Sequence, residues 1–137
     1  MSTLYTAVAT STGDARNGHV RSDDGLVDAD VRVPRSMGGP GGATNPEQLF
    51  AAGYSACFHS AMKLIARQDK LDVTDSTVTA EVSLAPQGVG YGLSVRLVVQ
   101  APNLDAATTD TLIQKAHLVC PYSNATRGNI DVTLAVG

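Results

Sequence analysis

Alternating apolar and polar positions predict several β-strands in the first third of the chain. Within residues 26–33, Ala29, Val31 and Val33 alternate with polar residues, which is typical of a half-buried strand, and Pro34 ends the run. The turn-forming residues 22–25 indicate a hairpin that joins this strand to a short one at residues 20–21. A β-prone run at residues 4–10 adds a further strand, so this part of the chain is predicted to be β-structure throughout.

A helix that is apolar on nearly all sides is predicted next. Asn45 is a suitable N-cap, Pro46 fits the first helical position, and Gln48 can complete a capping box. Residues 48–62 contain no Lys, Arg, Asp or Glu, and charge returns at Lys63. A helix of this kind belongs in the middle of a fold or at an interface, because its apolar surface must be covered.

The second half of the chain alternates between strand and helix patterns. Period-two patterns predict strands over residues 78–84 and 93–99, joined by a turn at residues 87–90. A second helix is predicted over residues 104–120, where Pro121 should stop it, followed by a closing strand from Ile130 to Val136. The resulting order, β-β-β-α-β-β-α-β, indicates an α+β fold.

Composition limits the classes of protein that the chain can represent. Its 137 residues, 43% of them hydrophobic, suit a single domain over residues 1–137. A formal net charge of −3 gives no electrostatic reason to expect nucleic acid or an anionic membrane as a partner. The N-terminal residues lack the basic start and apolar core of a signal peptide, so we expect a cytoplasmic protein.

Two cysteines carry the candidate chemistry. Cys57 lies in the uncharged helix, and Cys120 ends the second helical pattern. In a reducing compartment such a pair more often indicates catalysis, redox switching or metal binding than a structural disulfide, although two inert buried thiols would give the same pattern. Because apolar surroundings favour the protonated thiol, a reactive Cys57 needs a fixed positive charge nearby. The nearest cation in sequence, Lys63, is predicted to lie on a different face of the helix.

A zinc site is the first alternative. Cys57, His59, His117 and Cys120 together offer two sulfurs and two imidazoles. Residues two apart on a helix point roughly 200° apart, so Cys57 and His59 cannot bind the same ion. At most three of the four side chains can then serve as ligands, which makes zinc a weak hypothesis.

A Cys–His hydrolase is the second alternative. His19, His59 and His117 are the possible bases, and Asn124 is a possible orienting group. The sequence around these residues carries no signature of such an enzyme. A hydrolase of this type would also have no need of Cys120.

Two long motifs, residues 44–58 and 120–129, closely resemble the two cysteine motifs of the organic hydroperoxide resistance proteins, the Ohr branch of the Ohr/OsmC superfamily. The similarity extends over essentially the whole chain and includes the strand order. It implies an OsmC-like α+β fold, with β-sheets packed around two long helices in an intertwined homodimer. It also implies a dithiol-dependent peroxidase without metal or organic cofactor.

The resemblance assigns roles to four residues. Cys57 matches the peroxidatic cysteine and Cys120 the resolving one. Arg16 matches the catalytic arginine, although segment 12–18 is one residue longer than the family pattern, and Glu47 matches the glutamate that holds this arginine in place. An arginine stays charged at physiological pH, so it can supply the cation that Cys57 needs.

The implied reaction begins with attack of the Cys57 thiolate on an organic hydroperoxide. A sulfenic acid forms, condenses with Cys120 to a disulfide, and is recycled by an external dithiol, which in this family is a lipoyl group on a lipoylated protein. Phe50, Phe58 and Tyr122 are the candidate walls of an apolar substrate pocket. A non-catalytic thiol sensor or small-ligand-binding module of the same fold remains the alternative.

The spacing of Glu47 and Cys57 suggests where the site lies. The two residues are ten positions apart, which is roughly 15 Å along a straight helix and about 80° around it. They could not then share one arginine within one chain. Either the helix breaks near Gly53, or the site combines residues of two subunits, and the uncharged helix favours the second arrangement.

Overall fold

The structure is a computed structural model that describes residues 2–137, and it divides into two compact units. The first unit ends at Leu49 and the second begins at Phe50, so the division falls within the first long helix. Each unit is described by itself below. The assignment of residues 1–137 to one domain stays a prediction.

The first unit contains a small antiparallel sheet in the order β1-β2-β3. Its strands are shorter than the sequence suggested, because residues 4–8 make no ladder and Val31 pairs instead with Thr44 in an isolated bridge. The predicted turn at residues 22–25 does connect two paired strands. The strands are β1 (Ala9–Thr12), β2 (His19–Ser22) and β3 (Asp28–Asp30).

The first long helix, α1 (Pro46–Gln68), starts at the predicted cap. The Asn45 side chain accepts a hydrogen bond from the backbone N–H of Gln48 at 2.9 Å, which satisfies one of the free donors at the helix start. The reciprocal half of the capping box is absent, because the Gln48 side chain accepts from the Thr44 hydroxyl at 2.8 Å instead. The helix then runs without interruption past Gly53, which removes the possibility of a break at that residue.

The second unit is built on a three-stranded sheet in the order β4-β5-β6. The predicted hairpin is confirmed as an antiparallel pair, and the closing strand pairs in parallel with the middle one. A parallel pair needs a crossover connection, which the helices after the hairpin provide. The elements are β4 (Thr77–Gln87), β5 (Gly90–Gln100), α2 (Ala106–Val119), α3 (Pro121–Thr126) and β6 (Val132–Val136).

The second helix does end just before Pro121, as predicted, but Pro121 also begins the short helix α3, which was not predicted. The backbone of Cys120 is extended, with φ −66° and ψ 126°, as is favoured for a residue that precedes proline. Pro121 then occupies the first helical position, where its missing N–H costs nothing. The sulfur of Cys120 caps this short helix by accepting from the backbone N–H of Ser123 at 3.5 Å.

The core of the second unit packs α1 and α2 against β5. Alternate residues of β5 are buried, as its pattern predicted, and they meet large side chains of α1 and one face of α2. Cys120 is part of this core and fully buried. The largest buried contributors are Tyr54, Phe58, Met62, Leu97, Leu112 and Ile113. Within residues 2–137, none of the helices is long and apolar enough to cross a membrane.

Candidate active site

The structure brings the two cysteines of the second unit together. Cys57 projects from α1 and Cys120 lies between α2 and α3, with 3.6 Å between their Sγ atoms. Both are free thiols, and their sulfurs are within hydrogen-bond distance of each other. Because a disulfide bond is about 2.05 Å long, a side-chain movement of roughly 1.5 Å would join them.

The surroundings of Cys57 favour the protonated thiol. Burial is the main cause that raises the pKa of Cys57 above its usual value, and the neighbouring Cys120 thiol adds to the effect. The backbone N–H of Tyr122 acts in the opposite direction and lowers it. Ionisation of Cys57 at neutral pH therefore needs a further positive charge, as the sequence led us to expect.

Cys57 opens onto a surface groove of about 780 Å³ between α1 and the residues that join α2 to α3. Lys63 and Arg67 also line this groove, although Lys63, six positions after Cys57, is about 120° from it around α1. Cys57 is partly exposed, whereas Cys120 is 0% exposed. The groove therefore gives small molecules access to only one of the two sulfurs.

Three aromatic rings lie beside the sulfur pair. The rings of Phe50 and Tyr122 stack with centroids 5.9 Å apart, and Tyr54 is tilted against both. Tyr122 also lies directly against the backbone of α1 at Gly53, where a Cβ atom would come within 2.8 Å of its hydroxyl. The absence of a side chain at Gly53 therefore allows Tyr122 to lie this close to α1.

A second cavity, of about 650 Å³, is lined by Phe50 and Tyr122 together with uncharged residues of the β4–β5 hairpin and α3. Two of the three predicted pocket walls thus lie on an apolar cavity. Phe58 does not: it is 0% exposed and packs in the core beneath α1, so its assignment as a pocket wall is corrected to a core residue. An apolar side chain on a helix can line a pocket or pack in the core. The sequence alone therefore could not distinguish a pocket wall from a core residue.

In the first unit, Arg16 and Glu47 form a two-point ion pair. Arg16 Nη1 donates to Glu47 Oε2 at 3.1 Å, and Nη2 donates to Oε1 at 2.9 Å. The hydrogen bond from Arg16 lowers the pKa of Glu47, against the opposing effect of burial, and the same bond raises the pKa of Arg16. The carboxylate is 16% exposed and the guanidinium 45%, so the arginine presents its charge to the surface.

Two residues that the sequence analysis did not single out hold the Arg16 segment. Arg16 lies in a single 3-10 turn, Ala15–Asn17. The side chain of Asn17 accepts from the backbone N–H of Val33 at 3.0 Å, and Arg32 Nη1 donates to the carbonyls of Asn17 at 3.1 Å and Gly18 at 2.8 Å. No local motif marks such contacts, because their partners lie far apart in the sequence.

The histidines make other hydrogen bonds. His59 bonds the Ser76 hydroxyl at 3.0 Å, His117 bonds the Ser123 hydroxyl at 2.8 Å, and His19 lies between Asp28 and Asp30. These contacts do not form a Cys–His pair. Within the part of the chain that the structure describes, no group of three or more His, Cys, Asp or Glu side chains is arranged to hold a metal ion.

Comparison with known proteins identifies the family. The model of the OsmC-like protein family matches residues 39–135. An organic hydroperoxide resistance protein of Xanthomonas axonopodis pv. citri is 53% identical over 97% of this chain and 94% of its own. The chain belongs to the OsmC-like family and, within it, to the organic hydroperoxide resistance branch.

Solved structures agree with the fold. The crystal structure of an organic hydroperoxide resistance protein OsmC from Legionella pneumophila has a TM-score of 0.94 and 50% identity, with 99% of each chain covered. OhrB of Bacillus subtilis has a TM-score of 0.89 and 42% identity over 98% of this chain and 100% of its own. The α+β, OsmC-like fold expected from the sequence is therefore confirmed.

The Arg16–Glu47 pair should make stability depend on pH in the acidic range. Its stabilising effect is complete above the usual glutamate pKa of about 4.3 and is lost as the pH falls through the lower pKa of the folded state. In Glu47→Gln the free energy of unfolding should fall less on acidification, by about 1 kcal/mol or less because the guanidinium is half exposed. Urea titrations at several pH values measure this. Glu81→Gln, which breaks an exposed ion pair with Arg96, is the control. If the free energy of unfolding of Glu47→Gln depends on pH as that of the wild type does, the Arg16–Glu47 pair does not stabilise the fold.

Proposed function

We propose that this protein is a thiol-dependent peroxidase that reduces organic hydroperoxides to alcohols. The observation that carries the proposal is the 3.6 Å separation of the Cys57 and Cys120 sulfurs, one at an open groove and one in the core. The names of its relatives, organic hydroperoxide resistance proteins of several bacteria, support the same class of substrate.

In the proposed cycle the Cys57 thiolate attacks the peroxide oxygen that becomes the sulfenic hydroxyl. The O–O bond breaks, the alcohol leaves with one proton, and Cys57 becomes a sulfenic acid. The Cys120 sulfur then displaces this hydroxyl, which leaves as water with the thiol proton, and a disulfide forms. A dithiol of the lipoyl type restores both thiols by exchange and is itself oxidised to a disulfide.

Because free thiols persist in the reducing cytoplasm, we propose that the protein is located there.

The Arg16 guanidinium is the cation that we propose for Cys57. Burial raises the pKa of Cys57, so the thiolate requires a positive charge that cannot itself lose a proton, and arginine meets this condition. The two-point pair with Glu47 supports the proposal, because it fixes the direction in which the guanidinium points. Glu47 acts through Arg16 and is therefore a positioning residue.

An uncharged cavity that shares Tyr122 with the surroundings of Cys57 accounts for a preference for organic substrates. The cavity lined by Phe50 and Tyr122 is uncharged, and each buried methylene of an alkyl hydroperoxide contributes about 0.8 kcal/mol to binding. Hydrogen peroxide has no such group to bury. We propose that this cavity receives the organic part of the substrate.

We propose that the active site is completed across a homodimer. Because α1 is continuous, Glu47 and Cys57 are roughly 15 Å apart along it, so an arginine paired with Glu47 serves the cysteine of a second chain more readily than its own. One face of α1 also remains exposed although it carries no charge over two turns; its residues are Ala52, Ala56 and Ser60, and Leu64 extends it. A second copy of this chain would cover that face and border the groove at Cys57, since Ala56, Ser60 and Leu64 also line that groove.

The two cysteines should separate the steps of the cycle. Cys57→Ser should lose all turnover, because it has no peroxidatic sulfur. Cys120→Ser should consume about one equivalent of cumene hydroperoxide and then stop, since the sulfenic acid has no intramolecular partner. Stopped-flow consumption, with dihydrolipoamide for Cys57→Ser and without any thiol for Cys120→Ser, and mass spectrometry of the products measure both. A single slow oxidation of the wild type without turnover would instead indicate a thiol sensor.

Removal of the Arg16 charge should raise the pKa of Cys57. In Arg16→Ala the rate of Cys57 alkylation by iodoacetamide should increase only at higher pH than in the wild type, and reduction of tert-butyl hydroperoxide should slow by about tenfold or more. Arg96→Ala, which removes the same charge from an exposed ion pair on β5, is the matched control. An unchanged peroxide rate in Arg16→Ala would exclude this role for Arg16.

Mixing the slow variant Arg16→Ala with the inactive variant Cys57→Ser tests the composite site. If Arg16 of one chain serves Cys57 of the other, a heterodimer of Arg16→Ala and Cys57→Ser chains contains one complete site. After unfolding and refolding together, the mixture should recover about a quarter of the wild-type activity, since half of the dimers are mixed and each has one working site. No recovery, or sedimentation of the wild type as a fully active monomer, would contradict the proposal.

A further inference from the structure

A buried chain of hydrogen bonds ties the three helices of the second unit together beside the sulfur pair. The Tyr54 hydroxyl on α1 bonds the hydroxyls of two α3 residues, Ser123 at 2.9 Å and Thr126 at 3.1 Å. His117 Nδ1 on α2 bonds the same Ser123 hydroxyl at 2.8 Å. Tyr54 and Ser123 are both 0% exposed, so water does not compete for their bond.

Only one arrangement of protons satisfies every contact in this chain. The Thr126 hydroxyl donates to the carbonyl of Ser123 at 3.2 Å, so toward Tyr54 it can only accept. Tyr54 therefore donates to Thr126 and accepts from the Ser123 hydroxyl. Ser123 must in turn accept from His117, which makes Nδ1 the protonated nitrogen of that imidazole. The contacts thus run in one direction, from His117 through Ser123 and Tyr54 to Thr126.

Two residues of this chain of hydrogen bonds are each three positions from a cysteine in the sequence. Tyr54 is three residues before Cys57 on α1, and Ser123 is three residues after Cys120. The backbone N–H of Ser123 also donates to the Cys120 sulfur at 3.5 Å. The Tyr54–Ser123 bond therefore connects the helix that carries one sulfur to the helical turn that carries the other.

We propose that Tyr54 is a positioning residue for formation of the Cys57–Cys120 disulfide, an inference that rests on the proposed peroxidase cycle. In that step the Cys120 sulfur bonds the Cys57 sulfur, the S–O bond of the sulfenic acid breaks, and the hydroxide leaves with the Cys120 proton as water. Cys120 is oxidised and the sulfenic sulfur is reduced. Attack requires the two sulfurs to stay close and aligned with the S–O bond, and a displacement of about 1 Å can slow such a step by about 100-fold.

Tyr54→Phe tests this role, because it removes the hydroxyl and keeps the ring in the core. After one equivalent of cumene hydroperoxide, the sulfenic acid should form at the wild-type rate. The disulfide should then appear about tenfold or more slowly, and dimedone should trap more of the Cys57 sulfenic acid. In a Cys120→Ser background, Tyr54→Phe should leave the reaction with peroxide unchanged. Equal slowing of both steps, or a wild-type rate of disulfide formation, would overturn the proposal.

Thr109→Val is the matched control for general loosening of the fold. Thr109 is a buried residue of α2 whose hydroxyl bonds the carbonyl of Asp105 at 2.9 Å and takes no part in the chain beside the cysteines. The Thr109→Val variant should form the disulfide at the wild-type rate. Equal slowing in Thr109→Val and Tyr54→Phe would refute a specific role for Tyr54.

A second variant covers the case in which Tyr54→Phe does not fold. Thr126→Val removes the acceptor of the Tyr54 proton with little change of shape, so it should slow the same step. A wild-type rate in Thr126→Val would then overturn the proposal. If the wild type itself forms no disulfide with peroxide, the proposed peroxidase function fails instead, which is a different result from any of these.

Discussion

The approach of two sulfurs to 3.6 Å across a helix packing interface is the constraint on which the rest of this structure depends. It requires a backbone break between α2 and α3 at the position of Cys120, a glycine where Tyr122 meets α1, and a core that fixes both elements. Each requirement is met by a residue within one or two turns of a cysteine. The contacts that pack the second unit are therefore the same contacts that hold the two thiols close together.

Electrostatics explains why the dithiol alone does not complete an active site. Burial stabilises the protonated form of Cys57, and the neighbouring Cys120 thiol acts in the same direction. The ionised pair of the first unit, Arg16 and Glu47, has the complementary property of a permanent, oriented positive charge. The roles that we propose follow from these opposite tendencies. Apolar packing binds the substrate and holds the sulfurs, and the Arg16–Glu47 pair supplies the positive charge.

The sequence predicted those features that depend on local patterns. The β4–β5 hairpin, α1 and α2 follow from periodicity and capping, and the two cysteine motifs indicated the family. Helix α3 was missed because a proline that ends one helix can also begin the next, and nothing in the sequence shows that Pro121 does both. The contacts of Arg32 with Asn17, and of Tyr54 with Ser123, join residues far apart in the chain, so one sequence carries no local sign of them.

The unequal exposure of the two cysteines determines how an oxidised centre can be reopened. In a disulfide between them, the Cys120 sulfur would remain enclosed in the core, and only the Cys57 sulfur would face the groove. An incoming dithiol would therefore form its mixed disulfide with Cys57 and expel Cys120 as the leaving group. In the cycle that we propose, the burial of one side chain would thus decide which sulfur any reductant attacks.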